Sequence, residues 1–221
     1  MDTSLSELYG AMLGDGCLSS FVSGGRSRRV AVLTGHLLND HAYYQTVLRP
    51  ILRAYFSSDG YLYKRHSRCA LVLVMGQTVF DFLYGLGFPV GKKRNLLIPQ
   101  QIRTSLPHSI ACVRGIFDTD GSVYRRYSRQ YKGHTRIYDS LVVQFKLEGY
   151  RLLQQVKEIL FLAGIGSNTI IREKNTSVLR ITRQEDIARF MAIVRPSNPY
   201  HVERYLNRCK RVTTHGPLAQ R

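Results

Sequence analysis

Two nine-residue stretches, LYGAMLGDG at 8–16 and VRGIFDTDG at 113–121, share one layout and lie 105 residues apart. Each reads as the end of a helix of small and apolar residues that stops at an acid followed by glycine. An acid is badly placed at the negative end of a helix dipole, by roughly 0.3–1 kcal/mol. A second set of matches pairs Phe80, Leu83, Leu86 and Pro89 with Ile187, Phe190, Ile193 and Pro196, at an offset of 107. Two independent sets at nearly one spacing describe an internal duplication. Each half must then supply the same elements: helix, two strands, helix, two strands, helix.

Within the motifs, Gly10 and Gly14, and likewise Gly115 and Thr119, are four apart and so share a helix face. Small residues at that spacing let two helix backbones approach closely. Helices packed this way about a pseudo-twofold axis project Asp15 and Asp120 together just below their ends. Gly16 and Gly121 fit the left-handed residue that closes a helix. A single Asp-Gly is most simply a turn. A matched pair of repelling carboxylates is instead relieved by a divalent cation, and Mg²⁺ prefers such hard oxygen ligands with several waters retained.

Segments 41–56, 76–93, 148–164 and 183–200 carry helical apolar spacing, with Pro50 predicting a kink or break in the first. Segments 23–35, 61–75, 123–146 and 170–182 read as strands with cationic residues interleaved among aromatics. In the last, Ile171, Val178 and Ile181 alternate with Arg172, Lys174 and Arg180, which predicts a sheet with one apolar and one cationic face. The charge agrees: 32 Lys and Arg against 15 Asp and Glu give +17. Self-repulsion of that size suits a polyanionic partner, nucleic acid first. The cations are mostly Arg, which favours planar contacts to phosphate and guanine.

Other classes are disfavoured. Hydrophobic residues form 44% of 221, enough for a core. No run approaches the roughly 20 apolar residues of a membrane span. The start, MDTSLSEL, lacks a secretion signal, so an intracellular location is expected, with cytoplasm, nucleoid and organelle not distinguished. Cys17, Cys69, Cys112 and Cys209 are spread singly, as expected of reduced thiols rather than a zinc or disulfide framework.

On both motifs, the duplication and the passage GFPVGKKRNLLIPQQI (87–102), the sequence resembles the LAGLIDADG homing endonucleases in their monomeric two-motif form. The first motif departs from the family's name sequence at Tyr9, Ala11, Met12, Leu13 and Gly14, all packing positions, and keeps its acid. The resemblance implies an α+β fold of two pseudo-symmetric αββαββα halves whose antiparallel sheets form a DNA-binding saddle. Residues 1–106 would be the first repeat, 107–215 the second and 216–221 a tail. It also implies a Mg²⁺- (or Mn²⁺-) dependent endodeoxyribonuclease that cuts both strands of a long asymmetric site, leaving short 3′ overhangs.

By the same resemblance the metal is held by Asp15 and Asp120, with the carbonyls of Gly14 and Thr119 as further ligands. Auxiliary catalytic positions fall on Gln144, Lys146 or Glu148, the register among them being open, and on Lys93 beside Lys92. The first half offers Gly35 and His36 at the matching strand end. The second offers Ser197, Asn198 and Arg204 opposite the lysine pair. Candidates for DNA contact are Arg26, Arg28, Arg29, Lys64, Arg65 and Arg68, then Arg125, Arg126, Arg129, Arg136, Asn168, Arg172, Lys174 and Arg180. Tyr124, Tyr127 and Tyr131 serve equally as packing residues or contacts. The expected partner is double-stranded DNA. Two other readings use the same fold: an intron-RNA-binding maturase and a non-cleaving regulator. Either tolerates loss of an acid, so the retention of both favours cleavage. A chain this short leaves little room for splicing domains, so a freestanding or intron-encoded protein is expected.

Overall fold

The structure, a computed structural model, describes residues 2–93, 95–126, 129–131, 134–136 and 140–212, with side chains described through 126 and over 140–207 within those ranges. Cys209, Tyr127 and the tail 216–221 lie outside these limits for side-chain purposes, as do the side chains of Arg129, Tyr131 and Arg136.

The first half runs α1 (Thr3–Asp15), β1 (Gly16–Ser23), β2 (Arg26–His36), α2 (His41–Tyr43), a π turn (Tyr44–Leu48), α3 (Arg49–Phe56), β3 (Tyr61–Arg65), β4 (Ala70–Met75) and α4 (Gln77–Gly85). A short α5 (Gln100–Arg103) leads into the second: α6 (Leu106–Asp120), β5 (Gly121–Arg125), β6 (Arg129–Tyr131), β7 (His134–Arg136), β8 (Leu141–Leu147), α7 (Tyr150–Leu162), β9 (Ile171–Glu173), β10 (Thr176–Ile181), α8 (Gln184–Ile193) and α9 (Pro199–Val212). Two antiparallel four-stranded sheets have the same order, β1-β2-β4-β3 and β5-β8-β10-β9. The β6-β7 hairpin is an addition of the second half. The mixed α+β architecture and its duplication are therefore those the sequence predicts.

Pro50 does not break the helix. It sits in the first turn of α3, directly after the π turn, and the backbone at Leu48 and Arg49 stays helical. A proline lacks an N–H and crowds the preceding turn, and the wider π turn relieves both problems.

The helices α1 and α6 pack side by side, and glycine sets their distance. A Cβ on Gly10 would lie 2.0 Å from the carbonyl oxygen of Cys112, and one on Gly115 would lie 2.1 Å from that of Glu7. Residues 7 and 112 are themselves 105 apart, so these two contacts are one contact repeated by the pseudo-twofold. Gly16 and Gly121 require correction. Their φ values are −86° and −87°, extended rather than left-handed. Glycine is needed there for space: a Cβ would sit 2.6 Å from the Met12 carbonyl oxygen and 2.3 Å from that of Phe117. The chain leaves each helix straight into a strand, and Gly16 pairs with Leu33 as Gly121 pairs with Phe145.

Candidate active site

The helix tips bring the two motif acids together. The space a Gly14 Cβ would take lies 2.0 Å from Thr119 Oγ1 and 3.2 Å from Asp120 Oδ2. Burial raises the Asp15 carboxyl well above the usual range, and the charges of Asp120 and Asp40 raise it further, against an opposing pull from Lys93. Burial also raises Asp120, opposed by Lys93 and reinforced by Glu148 and Asp40. The pair thus resists carrying two negative charges without a cation. Lys93 already approaches: its Nζ donates to the carbonyls of Leu13, at 3.2 Å, and of Gly14. Burial lowers this ammonium even though both acids hold it up.

Two clefts flank the acids. One, of about 990 Å³, is lined by Gly14, Lys92, Lys93, Asp120, Lys146 and Glu148 among others. The second, of about 420 Å³, presents Asp15, Thr119, His36, Asp40, Tyr200 and Arg204. The pairing is crossed: each acid shares its cleft with the small residue preceding the other acid. Sheet register ranks the residues whose order was open. Since Leu33 and Phe145 are equivalent, Val32 corresponds to Gln144, Thr34 to Lys146 and His36 to Glu148. Glu148 acts electrostatically on both Asp120 and Lys93. Lys146 lines the cleft but is ion-paired with Glu173 at 3.2 Å. Gln144 lines neither cleft and bonds Tyr124 and Arg180 on the sheet face.

A buried polar layer beneath Asp15 was not anticipated from the sequence. Asp40 Oδ2 accepts from the His36 backbone N–H at 2.6 Å, and its Oδ1 accepts from Asn198 Nδ2 at 2.9 Å. Asn198 also donates to the Asp118 carbonyl at 3.0 Å, while the Ser197 N–H donates to the Asp118 carboxylate at 2.7 Å. Burial raises Asp118 well above its ordinary value and pushes His201 down to about 4. On the other side Arg114 ion-pairs with buried Glu7 at 3.0 Å and donates to the Val194 carbonyl at 2.6 Å. The motif SNP foreshadowed only the position of Asn198. Partners 80 and 158 residues away carry no local signal.

Strand alternation divides the cationic candidates. On β2, Ala31 and Leu33 face the core. Arg26 and Arg28 therefore share the open face with Val30, Val32 and Thr34, whereas Arg29 lies on the other side, 3.6 Å from Asp81 of α4. On the edge strand β3, Arg65 lies on the open face beside Tyr63, with its guanidinium 5.7 Å from that ring. Lys64 falls opposite core-facing Leu71 instead, and Arg68 sits in the hairpin turn. In the second half, Arg126 and Arg180 fall on the open side with Tyr124, Gln144 and Lys146, while Arg125 pairs with Leu141 on the inner side. Arg172 also lies off the face, 4.5 Å from the Tyr150 ring of α7. Asn168 accepts from Thr182 at the strand margin, and Lys174 occupies the β9–β10 turn with φ 52°. The predicted alternation in 170–182 is thus corrected: Ile171 and Val178 pair on the open side with Arg180, and Arg172 and Ile181 lie on the other.

Among the described residues no group of three or more His, Cys, Asp or Glu is arranged to hold a metal ion. The donors present are two carboxylates and two backbone carbonyls, one of which already faces an ammonium. This hard oxygen set fits Mg²⁺, whose remaining positions are ordinarily filled by water and substrate phosphate. No described helix is long and apolar enough to cross a membrane.

No curated protein matches the chain. A family model described as a LAGLIDADG-like domain matches residues 108–195. Among solved structures, the homing endonuclease I-DmoI superposes with a TM-score of 0.62 at 18% identity, covering 87% of this chain and 95% of that one. I-SmaMI bound to uncleaved DNA target with calcium ions gives 0.62 at 12%, covering 95% and 90%. The N-terminal LAGLIDADG domain of DUF199/WhiA gives 0.54 at 17%, covering 87% and 82%. At these identities the likeness to the solved structures is one of fold. Residues 108–195 thus match a LAGLIDADG-like domain model, and the chain as a whole shares the fold of these solved structures.

Proposed function

We propose that this chain is a site-specific double-strand DNA endonuclease acting as a monomer on a long asymmetric site, with residues 1–106 and 107–215 as its two repeats. The observation that carries the reading is the pair of half-buried acids, Asp15 and Asp120, both with raised pKa values, at the touching tips of two helices. Each acid opens to a cleft bordered by an open strand face, with Lys92, Lys93 and Lys146 on the Asp120 side and Arg204 on the Asp15 side. A single-residue variant of I-DmoI in complex with its target DNA in the presence of magnesium, and I-DmoI with DNA and manganese, lend support through the shared fold.

Asp15 and Asp120 would hold Mg²⁺ or Mn²⁺ with the carbonyls of Gly14 and Thr119. When bound, the metal stabilises charge on the entering and leaving oxygens of the phosphodiester. The protein's own residues do the rest. Lys93 places positive charge beside both acids and would neutralise the charge growing on the scissile phosphate. Lys146 and Arg204 border the two clefts and are placed to hold phosphates. Arg26, Arg28, Arg65, Arg126 and Arg180 on the open faces would contact the duplex. The burial that raises the acids also lowers the local dielectric, which strengthens every charge contact there.

The test is Mg²⁺-dependent cutting of duplex DNA carrying the fused flanks of the chain's own gene. Linear product with short 3′ overhangs, lost in EDTA, is expected. Binding of intron RNA with no DNA cut under any metal would replace the reading with a maturase.

A further inference from the structure

On the open face of the second sheet, Gln144 is held by its neighbours. Its Oε1 accepts from Arg180 Nε at 2.9 Å and from Tyr124 Oη at 3.0 Å. A guanidinium Nε–H can only donate, so the amide atom facing it must be the carbonyl oxygen, and two donors engage both of its lone pairs. Arg180 is fixed in turn, because its Nη2 donates to Glu173 Oε1 at 3.1 Å. The other Glu173 oxygen accepts from Lys146 Nζ at 3.2 Å. Cross-strand register builds this cluster: Gln144 lies opposite both Ser122 and Arg180, with Lys146 and Tyr124 next along the same face.

A glutamine free in a major groove pairs with adenine, accepting from N6 while donating to N7. Gln144 cannot accept, because its carbonyl is closed by Tyr124 and Arg180. The group it has left to offer is the Nε2 donor pair. Guanine presents only acceptors along its major-groove edge, N7 and O6, whereas the amino group of adenine would meet amide hydrogens. We propose that Gln144 is a specificity-determining residue that selects guanine over adenine at one base pair, its polarity set by Tyr124 and Arg180. This rests on the reading of the open sheet faces as duplex-binding surfaces.

The full chain, its Gln144→Ala variant and a Tyr124→Phe/Arg180→Met double variant would each be used to select bound duplexes from a randomised pool, with thermal melting checking that each is folded. One base pair of the wild-type motif should lose its preference in Gln144→Ala. There the wild type should enrich guanine over adenine by about tenfold, and the double variant should lose that bias or reverse it toward adenine. Adenine at that position in the wild type, a motif unchanged by Gln144→Ala, or an unaltered bias in the double variant would each overturn the proposal while leaving the endonuclease reading standing. A wild type that enriches no duplex at all would instead sink the duplex-binding reading, and this proposal with it.

Discussion

The two clefts share a backbone frame and differ in chemistry. Gly16 against Leu33 and Gly121 against Phe145 set the same register beneath each acid. Around Asp120 the frame is filled by Lys93, Lys146 and Glu148, whereas Asp15 meets His36, Asp40 and Arg204. The Asp15 cleft holds the Asp40 carboxylate, tied back by Asn198, whereas the Asp120 cleft has a lysine on the helix-end carbonyls. The comparison teaches that duplication fixed where the carboxylates sit, while each half chose its own surrounding charges.

The strongest way to break the comparison is to remove each acid in turn. Asp15→Asn and Asp120→Asn should each lower double-strand cleavage roughly 10³-fold or more, the several kcal/mol that metal stabilisation supplies. Duplex binding, followed by gel shift, should stay within about threefold, because the acids face no base. Cutting retained in both single variants would end the metal assignment.

The next prediction probes what the halves have in common. Gly10→Ala and Gly115→Ala place a Cβ about 2 Å from a backbone carbonyl across the same interface. Each should destabilise by about 3 kcal/mol, read as denaturant midpoint. Markedly unequal losses would show that the pseudo-twofold does not extend to the packing.

Lys93→Met tests the difference directly. With each strand labelled separately, one strand should slow by about 10²-fold, the size expected for one lost electrostatic donor. Equal slowing of both strands would mean that Lys93 serves the two clefts together.

The smallest effect concerns pH. Both acids have folded pKa values raised above their unfolded ones, so folding takes up protons. The stability they contribute is complete below the ordinary carboxylate value and is lost as pH rises through the raised values. In EDTA, Asp15→Asn should therefore melt higher than the wild type at pH 8, by about 1–2 kcal/mol or some 2–6 °C, and equal it at pH 3. Added Mg²⁺ should raise the wild-type melting temperature at pH 8 but not that of the variant.

Much of this site was legible in the sequence because its signals are local and repeated. The motif spacing located the helix contact and both acids, and the repeat gave the element order. Three kinds of feature were not legible. The left-handed role given to Gly16 and Gly121 came from their position after a helix, whereas close packing against Met12 and Phe117 is what demands glycine. Face assignments at Arg29, Lys64, Arg125 and Arg172 turned on strand register, where a slip of one residue moves a side chain across the sheet. The Asp40–Asn198–Asp118 layer joins residues from opposite ends of the chain. An Asp just before a helix, such as Asp40, looks like an ordinary cap, yet here its side chain makes no cap hydrogen bond.

The ion pair of buried Glu7 with half-buried Arg114 has a consequence for how such a chain can assemble. Residue 112 stands in the second half where Glu7 stands in the first, and it is a cysteine. A second half meeting a copy of itself would set each Arg114 against a thiol in place of the Glu7 carboxylate. The seam is thus keyed like a plug and socket, with a salt link that the two unlike halves can make and a pair of second halves cannot.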